Sequence, residues 1–405
     1  MGNSLIKRRE VNTRTLQIVG DSKYGGAGYL LLRWCDYLVS RGWEVDVLAT
    51  DPFVVAKLEE INHVCVIKDI LIPREITPLQ DLSAFFKLMN RMKRERYRVV
   101  HTYTAAPSFL GRIAARLSGV PVIVHHQAGW TVTDFSSPLE KLIYTSLEYI
   151  ATLASTRSIC VSHAIKQQAA QLHIAPLHKL VTICNGIDPQ PFIAASEKRA
   201  IQRKTLEIPD GCLAIGSTGR LSLQKDNATL IRGAAYLREN LPSLDFRLLL
   251  AGDGPDFPQL DALRHELNLT DHVRFLGICH EIPEFLAALD VFISSTLREG
   301  MSISILEAMA AAKPIVATSI APNVELIEDG VTGLLAPVKM PEKIAEAITR
   351  FVQEPVLAQK CALGARRRLL ENYTLDRMFQ ETWDLYLDLL GEKVKKLAQV
   401  GNIIQ

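Results

Sequence analysis

Short apolar runs alternate with longer amphipathic stretches along almost the whole chain. In the first half, LQIVGD (16–21), EVDVLAT (44–50) and RVVHTY (98–103) are such runs, and each precedes a stretch whose apolar residues recur at helical spacing. Apolar runs of this kind are typical of parallel strands whose two faces are covered by helices. The pattern therefore predicts an α/β fold built on parallel sheets.

The rhythm breaks at 191–211, where charged residues, Pro and Gly collect, and it restarts at LAIGSTGRLSLQKD (213–226). A chain of 405 residues is also too long for one ordinary core. We therefore predict two Rossmann-like parallel-sheet domains, residues 1–192 and 193–375, facing one another across a cleft.

Composition narrows the class of protein. Lys and Arg number 46 against 44 Asp and Glu, so the net charge of +2 argues against a nucleic-acid partner. The seven cysteines are scattered and form no Cys-x-x-Cys pair, which favours reduced thiols. Because no apolar run is long enough for a signal peptide or a membrane span, we expect a cytoplasmic protein whose membrane contact, if any, is peripheral.

A predicted helix at 79–98 has two chemically different sides. The apolar side carries Leu82, Phe85, Phe86, Met89 and Met92, and the basic side carries Lys87, Arg91, Arg94 and Arg98. A basic amphipathic helix suits an anionic membrane surface. The alternative is that the apolar side packs on the sheet and the basic side is solvated, and the sequence leaves both open.

The stretch REGMSISILEAMAAAKPIVAT (298–318) predicts a loop, a helix and a strand. Its helix begins near Ser302, a favourable N-cap, and continues through strong helix formers. Glu299 therefore precedes the helix, and Glu307 lies in its second turn. A loop carboxylate can accept hydrogen bonds from sugar hydroxyls and a helical one from a ribose diol, although both could equally be ordinary solvated glutamates.

Cations and amides are expected at the same sheet edge as these carboxylates. Arg220 and Lys225 follow the first strand of the second domain. The amides around Gly300, Met301 and Ser302 have no partner inside their helix. Strand ends of a parallel sheet meet at one edge, so all these groups can surround one ligand. Cations and amides fit a diphosphate and carboxylates fit hydroxyls, which predicts a nucleoside diphosphate sugar.

The first domain offers fewer signals. Gly25 and Gly26 stand where the first strand turns into a helix, so the backbone can approach a ligand there; a tight turn without a ligand is the alternative. Four histidines stand at or just beyond the ends of predicted strands: His101, His125, His126 and His163. No carboxylate stands at ligand spacing beside them, so we expect no metal site.

These motifs together resemble the retaining glycosyltransferases of family 4, which have the GT-B fold. The resemblance covers nearly the whole chain, and its specific part is the paired-glutamate segment combined with GR(x4)K. The other matching segments are VVHTYTAAPSFLGRIAARLSGVPVIV, VSHAI, ICNGID, AGDGP, VRFLG and EDGVTGLLAPV. In this family the N-terminal domain binds the acceptor and is completed by the C-terminal helix, here 376–399, and the other domain binds the donor.

The resemblance also implies roles for residues. Arg220 and Lys225 would neutralise the departing diphosphate. Glu299 would contact the sugar hydroxyls and Glu307 the ribose. Amides at 300–302 would bind the distal phosphate. The residues expected to contact the donor nucleotide are Gly25, Gly26, Gly277, Gly300, Met301, Ser302, Leu306 and Glu307.

The implied reaction is transfer with retention at the anomeric carbon, by same-face attack assisted by the leaving phosphate. With no Asp-x-Asp motif, we expect no divalent metal, and no cofactor besides the donor, for which the family favours UDP. The family often has a histidine immediately before a glycine after the PVIV strand, where this chain has Ala128 before Gly129. We assign that role to His126.

The leading interpretation is a transferase that moves a hexose or N-acetylhexosamine to a glycan, small-molecule or lipid-linked acceptor. A sugar-nucleotide epimerase of the same fold, and a non-catalytic module that binds sugar nucleotides, are the alternatives. A dehydrogenase is disfavoured because neither glycine-rich turn reads GxGxxG.

Overall fold

The structure is a computed structural model that describes residues 13–20, 26–72, 77–103, 105–130 and 137–401, the last ten without their side chains. The chain divides into two compact units. The first unit comprises Met1–Val161, Ile165–Ile183 and Phe379–Gln405, and the second comprises Ser162–Ala164 and Cys184–Met378.

The first unit is built on a parallel sheet of seven strands. They are β1 (Arg14–Gly20), β2 (Glu44–Ala49), β3 (Val64–Val66), β4 (Val99–Thr102), β5 (Val122–Gln127), β6 (Arg157–Cys160) and β7 (Leu180–Thr182). Their order in the sheet is β3-β2-β1-β4-β5-β6-β7. The connecting helices are α1 (Gly26–Ser40), α2 (Pro52–Glu59), α3 (Pro78–Glu95), α4 (Ala105–Leu117), α5 (Pro138–Ala154) and α6 (His163–Leu172), followed by the 3-10 helix Leu177–Lys179.

The second unit repeats this plan with six parallel strands. They are β8 (Leu213–Thr218), β9 (Phe246–Ala251), β10 (Val273–Gly277), β11 (Val291–Ser294), β12 (Ile315–Thr318) and β13 (Leu334–Ala336). Their order is β10-β9-β8-β11-β12-β13. The helices are α7 (Gln190–Ala195), α8 (Arg199–Thr205), α9 (Asn227–Asn240), α10 (Phe257–Glu266), α11 (Ile282–Ala288), α12 (Ile303–Ala310), α13 (Ala321–Leu326), α14 (Pro341–Gln353) and α15 (Pro355–Asn372). The α/β class with two Rossmann-like parallel sheets is confirmed.

The segment 191–211, which the sequence marks only as a break in rhythm, is largely helical. It contains most of α7, a 3-10 helix and α8. Arg199 and Arg203 of α8 bind the two carboxylate oxygens of Asp290, at 2.6 and 3.0 Å. These ion pairs hold the segment against the second unit just before β11. The charges that look like those of a linker are therefore structural.

The last helix, α16 (Leu375–Gly401), joins the first unit through aromatic side chains. Phe379, Trp383 and Tyr386, at 3- and 4-residue spacing, bring three rings to one face of the helix. They contact the rings of Trp34, Tyr37 and Trp43, with centroids 5.2 to 6.4 Å apart. Aromatic pairs at these distances stabilise packing beyond the area they bury.

Helix α3 begins at Pro78 and ends at Glu95, so Arg98 of the predicted basic side lies beyond it, and Leu82 and Phe86 of the predicted apolar side are exposed. The Arg91 guanidinium is not solvated. It donates to the buried Asp46 carboxylate at 2.9 Å and to the Tyr97 hydroxyl at 3.1 Å. Asp46 also binds Arg14 at 3.0 Å. Arg91 is therefore part of an internal polar network, and the outward cations of α3 are others.

This network predicts unequal effects of two neighbouring arginines on stability. Arg91→Leu removes one of the two arginines that bind the buried Asp46 carboxylate, so we expect the free energy of unfolding to fall by about 1–3 kcal/mol. Arg94→Leu, on an exposed arginine whose one ion-pair partner among the described residues is Glu95, should change it by less than about 0.5 kcal/mol. Urea unfolding followed by circular dichroism measures both, and equal effects would contradict the assignment.

Among the residues described, no helix is both long and apolar enough to cross a bilayer.

Candidate functional site

The loops after β8 and β11 are bound to each other at the strand ends of the second unit. The Ser295 hydroxyl donates to the carbonyls of Lys225 and Asp226, at 2.8 and 2.9 Å. The Gln224 side chain donates to the Arg298 carbonyl at 2.7 Å. Two separate segments therefore form one rigid rim on this sheet edge. Polar residues directly after a buried strand are the only sequence signal for this contact, which sequence reasoning missed.

Glycines bring the loops after β8 and β9 unusually close. A Cβ at Gly252 would lie 1.8 Å from the Gly219 carbonyl oxygen, and one at Gly254 would lie 2.1 Å from that of Leu221. Gly252 also has a φ of +156°, which side chains other than that of glycine rarely allow. Glycine is thus required at both positions for this backbone approach, and the approach fixes the course of the loop that carries Arg220.

Lys225 and Glu299 meet at this rim. The Lys225 ammonium binds a Glu299 carboxylate oxygen, which also lies 3.5 Å from the Thr296 hydroxyl. Lys225 extends along Gly219, where an added Cβ would lie 3.4 Å from the lysine Cε. Arg220 is exposed, and in the described part of the chain nothing pairs with its guanidinium. The structure therefore brings Lys225 and Glu299 into contact, with Arg220 in the same loop as Lys225.

The start of α12 lies at the same edge. Ser302 caps the helix by accepting from the Ile305 amide at 3.3 Å, as its residue type predicts. In the described residues, the amides of Gly300, Met301 and Ser302 have no acceptor, and unpaired amides at a helix start attract anions. The side chains of Met301 and Leu306 are buried, and the Leu306 amide donates to the Ser302 carbonyl at 3.2 Å, so Met301 offers a ligand only its backbone.

Glu307 lies deeper in the same region, partly buried on α12. Burial raises its pKa to about 8, and the nearby Lys225 charge offsets this only in part. Burial also raises the pKa of the Cys279 thiol, with a contribution from the Glu307 charge, so Glu307 lies near the segment after Gly277. At neutral pH Glu307 is therefore mostly protonated, and a protonated carboxyl both donates and accepts hydrogen bonds.

Gly277, the last residue of β10, has a φ of +67°. It borders an open cleft that Gly252, Phe257 and Phe275 also line. The two phenylalanine rings meet edge to face, with centroids 5.2 Å apart. Because Gly252 also packs against Gly219, the cleft adjoins the loop that carries Arg220.

His126 belongs to a buried polar cluster in the first unit. Strand β5 ends at Gln127, so His126 lies inside the strand and not beyond its end. Its ring centroid lies 6.2 Å from that of His101 and 5.7 Å from that of Tyr103. The His101 Nδ1 lies 2.6 Å from the Tyr386 hydroxyl of α16. Tyr103 and Tyr386 carry no sequence signal that would have placed them here.

Neighbouring residues of a strand face opposite sides of the sheet, and the two adjacent histidines follow this rule. The His125 ring binds Thr102 at 2.9 Å and Gln127 at 2.7 Å, on the other face from His126. Burial lowers the pKa values of both His125 and His101 well below the usual range, so both are neutral. Of His125 and His126, His126 is therefore the one that lies on the same face of the sheet as His101 and Tyr103.

The remaining predicted positions are placed as follows. Gly25 lies outside the described residues, and Gly26 is the first residue of α1. His163 lies apart from the other histidines, where Glu325 accepts from its backbone amide at 3.0 Å. Ligand atoms of His163, Cys184 and Glu325 lie within 4.8 Å of one another. Because Glu325 also accepts from the Ala164 amide, its two oxygens are already engaged.

Comparisons with known proteins agree with this geometry. The profile for glycosyl transferases group 1 matches residues 198–368, and that for glycosyltransferase family 4 matches residues 24–191. The UDP-Gal:alpha-D-GlcNAc-diphosphoundecaprenol alpha-1,3-galactosyltransferase of Escherichia coli is 30% identical over 322 residues, which cover 79% of this chain and 83% of that one. The N-acetyl-alpha-D-glucosaminyl L-malate synthase of Bacillus anthracis is 23% identical, covering 91% and 95%.

Among solved structures, Anabaena HepE in complex with UDP-glucose superimposes with a TM-score of 0.78. It is 22% identical and covers 94% of this chain and 99% of its own. A glycosyltransferase from Rickettsia africae gives a TM-score of 0.79 at 20% identity, covering 94% and 99%. These likenesses show the fold, which is GT-B.

Two Rossmann-like sheets, with cations, helix amides and carboxylates at one sheet edge, define an enzyme that handles sugar nucleotides. The 30% identity over most of both chains makes the assignment specific. The chain belongs to glycosyltransferase family 4, and it is a glycosyltransferase that uses a sugar-nucleotide donor.

The raised pKa of Glu307 predicts a pH-dependent stability. Between the ordinary glutamate pKa and about 8, the folded state holds a proton that the unfolded state lacks, so stability falls as pH rises through this window. The loss is at most about 1.4 kcal/mol per pH unit and ends above pH 8. Glu307→Gln should remove this component and become increasingly more stable than the unaltered protein up to that pH.

Chemical denaturation at pH values from about 5 to about 9 measures the difference between the two proteins. Glu266→Gln, on an exposed residue of α10, is the matched control and should follow the unaltered protein at every pH. A Glu307→Gln curve parallel to that of the control would refute the raised pKa.

Proposed function

We propose that the enzyme transfers a hexose or N-acetylhexosamine from a UDP-sugar to a lipid-linked glycan acceptor, with retention at the anomeric carbon. The observation that carries the proposal is the convergence of Arg220, Lys225, Glu299 and the backbone amides of 300–302 on one sheet edge. The name of the Escherichia coli relative supplies the donor class and the lipid diphosphate acceptor. The UDP-glucose complex of the structural neighbour supports a UDP-sugar donor.

In the proposed reaction, the bond between the anomeric carbon and the β-phosphate oxygen breaks while the acceptor hydroxyl attacks from the same face. The acceptor proton passes to the departing phosphate oxygen, so no protein nucleophile is needed. Lys225 and Arg220 stabilise the negative charge that develops on the diphosphate, and the amides at 300–302 bind its distal phosphate. Because these groups supply the positive charge, we propose that no divalent cation is required.

The Lys225–Glu299 ion pair gives both residues a second function. Glu299 holds the ammonium at the rim before the donor arrives, so little side-chain entropy remains to be lost on binding. When the diphosphate takes part of the Lys225 charge, the Glu299 oxygens can accept from sugar hydroxyls. We propose that Glu307, as a neutral carboxyl, binds the ribose diol, and that Gly277, Leu306 and the backbone of Met301 border the nucleotide.

The charge of Lys225 is expected to matter most in the transition state. Lys225→Met should lower kcat/KM by about 100- to 1,000-fold, because loss of one electrostatic donor to a developing anion costs that order. The matched control, Lys198→Met, removes an exposed lysine of the second unit that pairs with Glu284 at 3.5 Å, and it should retain activity. Donor-dependent release of UDP measures both, and a Lys225→Met enzyme with unaltered kcat/KM would exclude the assigned role.

His126 is proposed to assist at the transferred sugar. His126 lies on the face of β5 that is next to the Tyr103 ring. His126→Ala should therefore lower kcat by at least about tenfold. His125→Ala is the paired variant, since this residue points to the opposite face. We expect it to lower stability with a smaller effect on kcat. Both variants are assayed for turnover at saturating donor after their melting temperatures are recorded.

The stereochemical proposal is tested on the product itself. Nuclear magnetic resonance of the new glycosidic linkage should show an α-anomer when the donor is an α-linked UDP-sugar. Rates should be unchanged by a chelator such as EDTA. A β-anomer would exclude retention, and activity lost in EDTA and restored by Mg²⁺ would exclude metal independence.

Transfer is distinguished from the two alternatives by the products. UDP that appears only when an acceptor is added supports transfer. UDP release or donor inversion without an acceptor supports an epimerase of the same fold. Calorimetric binding of UDP-sugar with no turnover on a panel of polyprenyl diphosphate-linked and free sugar acceptors supports a non-catalytic module. Mass spectrometry of this panel also identifies the transferred sugar.

A lipid-linked acceptor requires access to a membrane surface. We therefore propose an anionic bilayer as a partner, contacted in part by the helix at 79–98. The outward cations of this helix are Lys87, Lys93 and Arg94, since Arg91 is engaged by Asp46.

A further inference from the structure

Helix α5 of the first unit presents an apolar face to solvent. Six large aliphatic side chains on it are between 37% and 66% exposed: Leu139, Leu142, Ile143, Leu147, Ile150 and Leu153. At about 100° per residue they occupy one continuous side of the helix. The only polar side chain among them, Ser146, donates its hydroxyl to the Leu142 carbonyl at 2.8 Å. This side therefore offers no charge to water over about four helical turns.

The opposite side of α5 is polar and packs on the protein. Glu148 is buried and binds Arg112 of α4 at 3.4 Å. Thr152 is also buried, and Ala151 lies beside it. On an ordinary surface helix the apolar side faces the core, whereas on α5 the polar side does. Side chains of this size on one exposed face mark an interaction surface and not a solvated one.

The neighbouring helices extend this surface and add positive charge. Helix α4 contacts both α3 and α5, so the three helices lie side by side. On α3, Leu79, Leu82 and Phe86 are exposed, at 87%, 53% and 55%. The exposed side of the same helix then continues with a cationic group: Lys87, Lys93 and Arg94. Exposed aliphatic residues and cations therefore occur together on one side of this unit.

We propose that the apolar face of α5 inserts into the interfacial layer of an anionic membrane, with the cations of α3 beside the lipid phosphates. An uncharged aliphatic face matches acyl chains, and the adjacent lysines and arginine match anionic headgroups. Tyr149, exposed at the edge of this face, is of a type that favours the boundary between apolar and aqueous layers. The complementary charge favours a lipid surface over a second copy of the chain, which would bring the α3 cations of two copies together.

The choice of a lipid surface rests on the proposed lipid-linked acceptor. The test of membrane binding does not depend on that acceptor, because a protein can bind vesicles without turnover. The Leu142→Gln/Ile143→Gln/Ile150→Gln variant replaces three exposed aliphatic residues with neutral polar ones, so it adds no charge that would repel the lipid. The matched control, Ile201→Gln/Val356→Gln/Leu363→Gln, replaces three similarly exposed aliphatic residues of the second unit.

Both variants are sedimented with sucrose-loaded vesicles of phosphatidylcholine and phosphatidylglycerol in a ratio of about 7:3. The α5 variant should lower the partition coefficient by at least about tenfold at both about 0.1 M and about 0.5 M salt, because burial of apolar surface is not screened. A Lys93→Gln/Arg94→Gln variant should lower it by about tenfold at the lower salt only. The second-unit control should partition like the unaltered protein.

Two results would overturn the proposal. One is an α5 variant that sediments with vesicles as well as the unaltered protein. The other is an unaltered protein that is dimeric without lipid, by light scattering, and an α5 variant that is monomeric, since the face would then join two copies. Calorimetry with UDP, together with melting temperatures, shows whether the variants are folded and retain the donor site. Failure of membrane binding is thereby separated from failure of the proposed transferase function.

Discussion

The ion pair between Lys225 and Glu299 links the two loops on which the proposed donor site depends. These residues are 74 positions apart and follow different strands, β8 and β11. A cation at this edge without a counter-charge would be partly desolvated, so the carboxylate stabilises the loop before any ligand binds. The hydrogen bonds of Ser295 and Gln224 then fix the backbone that carries both partners. The proposed diphosphate site is thereby preorganised.

The same packing explains why a second carboxylate nearby behaves differently. Glu299 reaches the rim and keeps an ammonium partner, whereas Glu307 lies where burial raises its pKa to about 8. Two glutamates of one helix-and-loop segment thus offer different chemistry, one a charged acceptor and the other a neutral donor and acceptor. Sequence spacing places both at the site, but only the depth of each carboxylate in the fold assigns these states.

The predictions from sequence were accurate where local rules determine the structure. The strand predicted at 44–50 and observed at Glu44–Ala49 follows from apolar pattern, and the helix start at Ser302 follows from capping, both of which act within a few residues. They failed where a partner lies far away in the chain. Arg91 points inward because its partner, the Asp46 carboxylate, is buried. The segment 191–211 packs on the second unit because Arg199 and Arg203 bind Asp290. Neither partner can be identified from spacing alone.

Helix α5 shows a further limit of pattern reading. Amphipathic periodicity predicts a helix with an apolar side, and the usual inference that this side faces the core assumes that the protein supplies the whole apolar environment. Here Arg112 of α4 is buried, and its guanidinium binds the Glu148 carboxylate of α5. Rotating α5 to bury its leucines would expel Glu148 and leave a desolvated guanidinium unpaired, a cost of several kcal/mol. The ion pair beneath α5 therefore fixes the orientation of the helix and leaves its apolar side for a partner outside the chain.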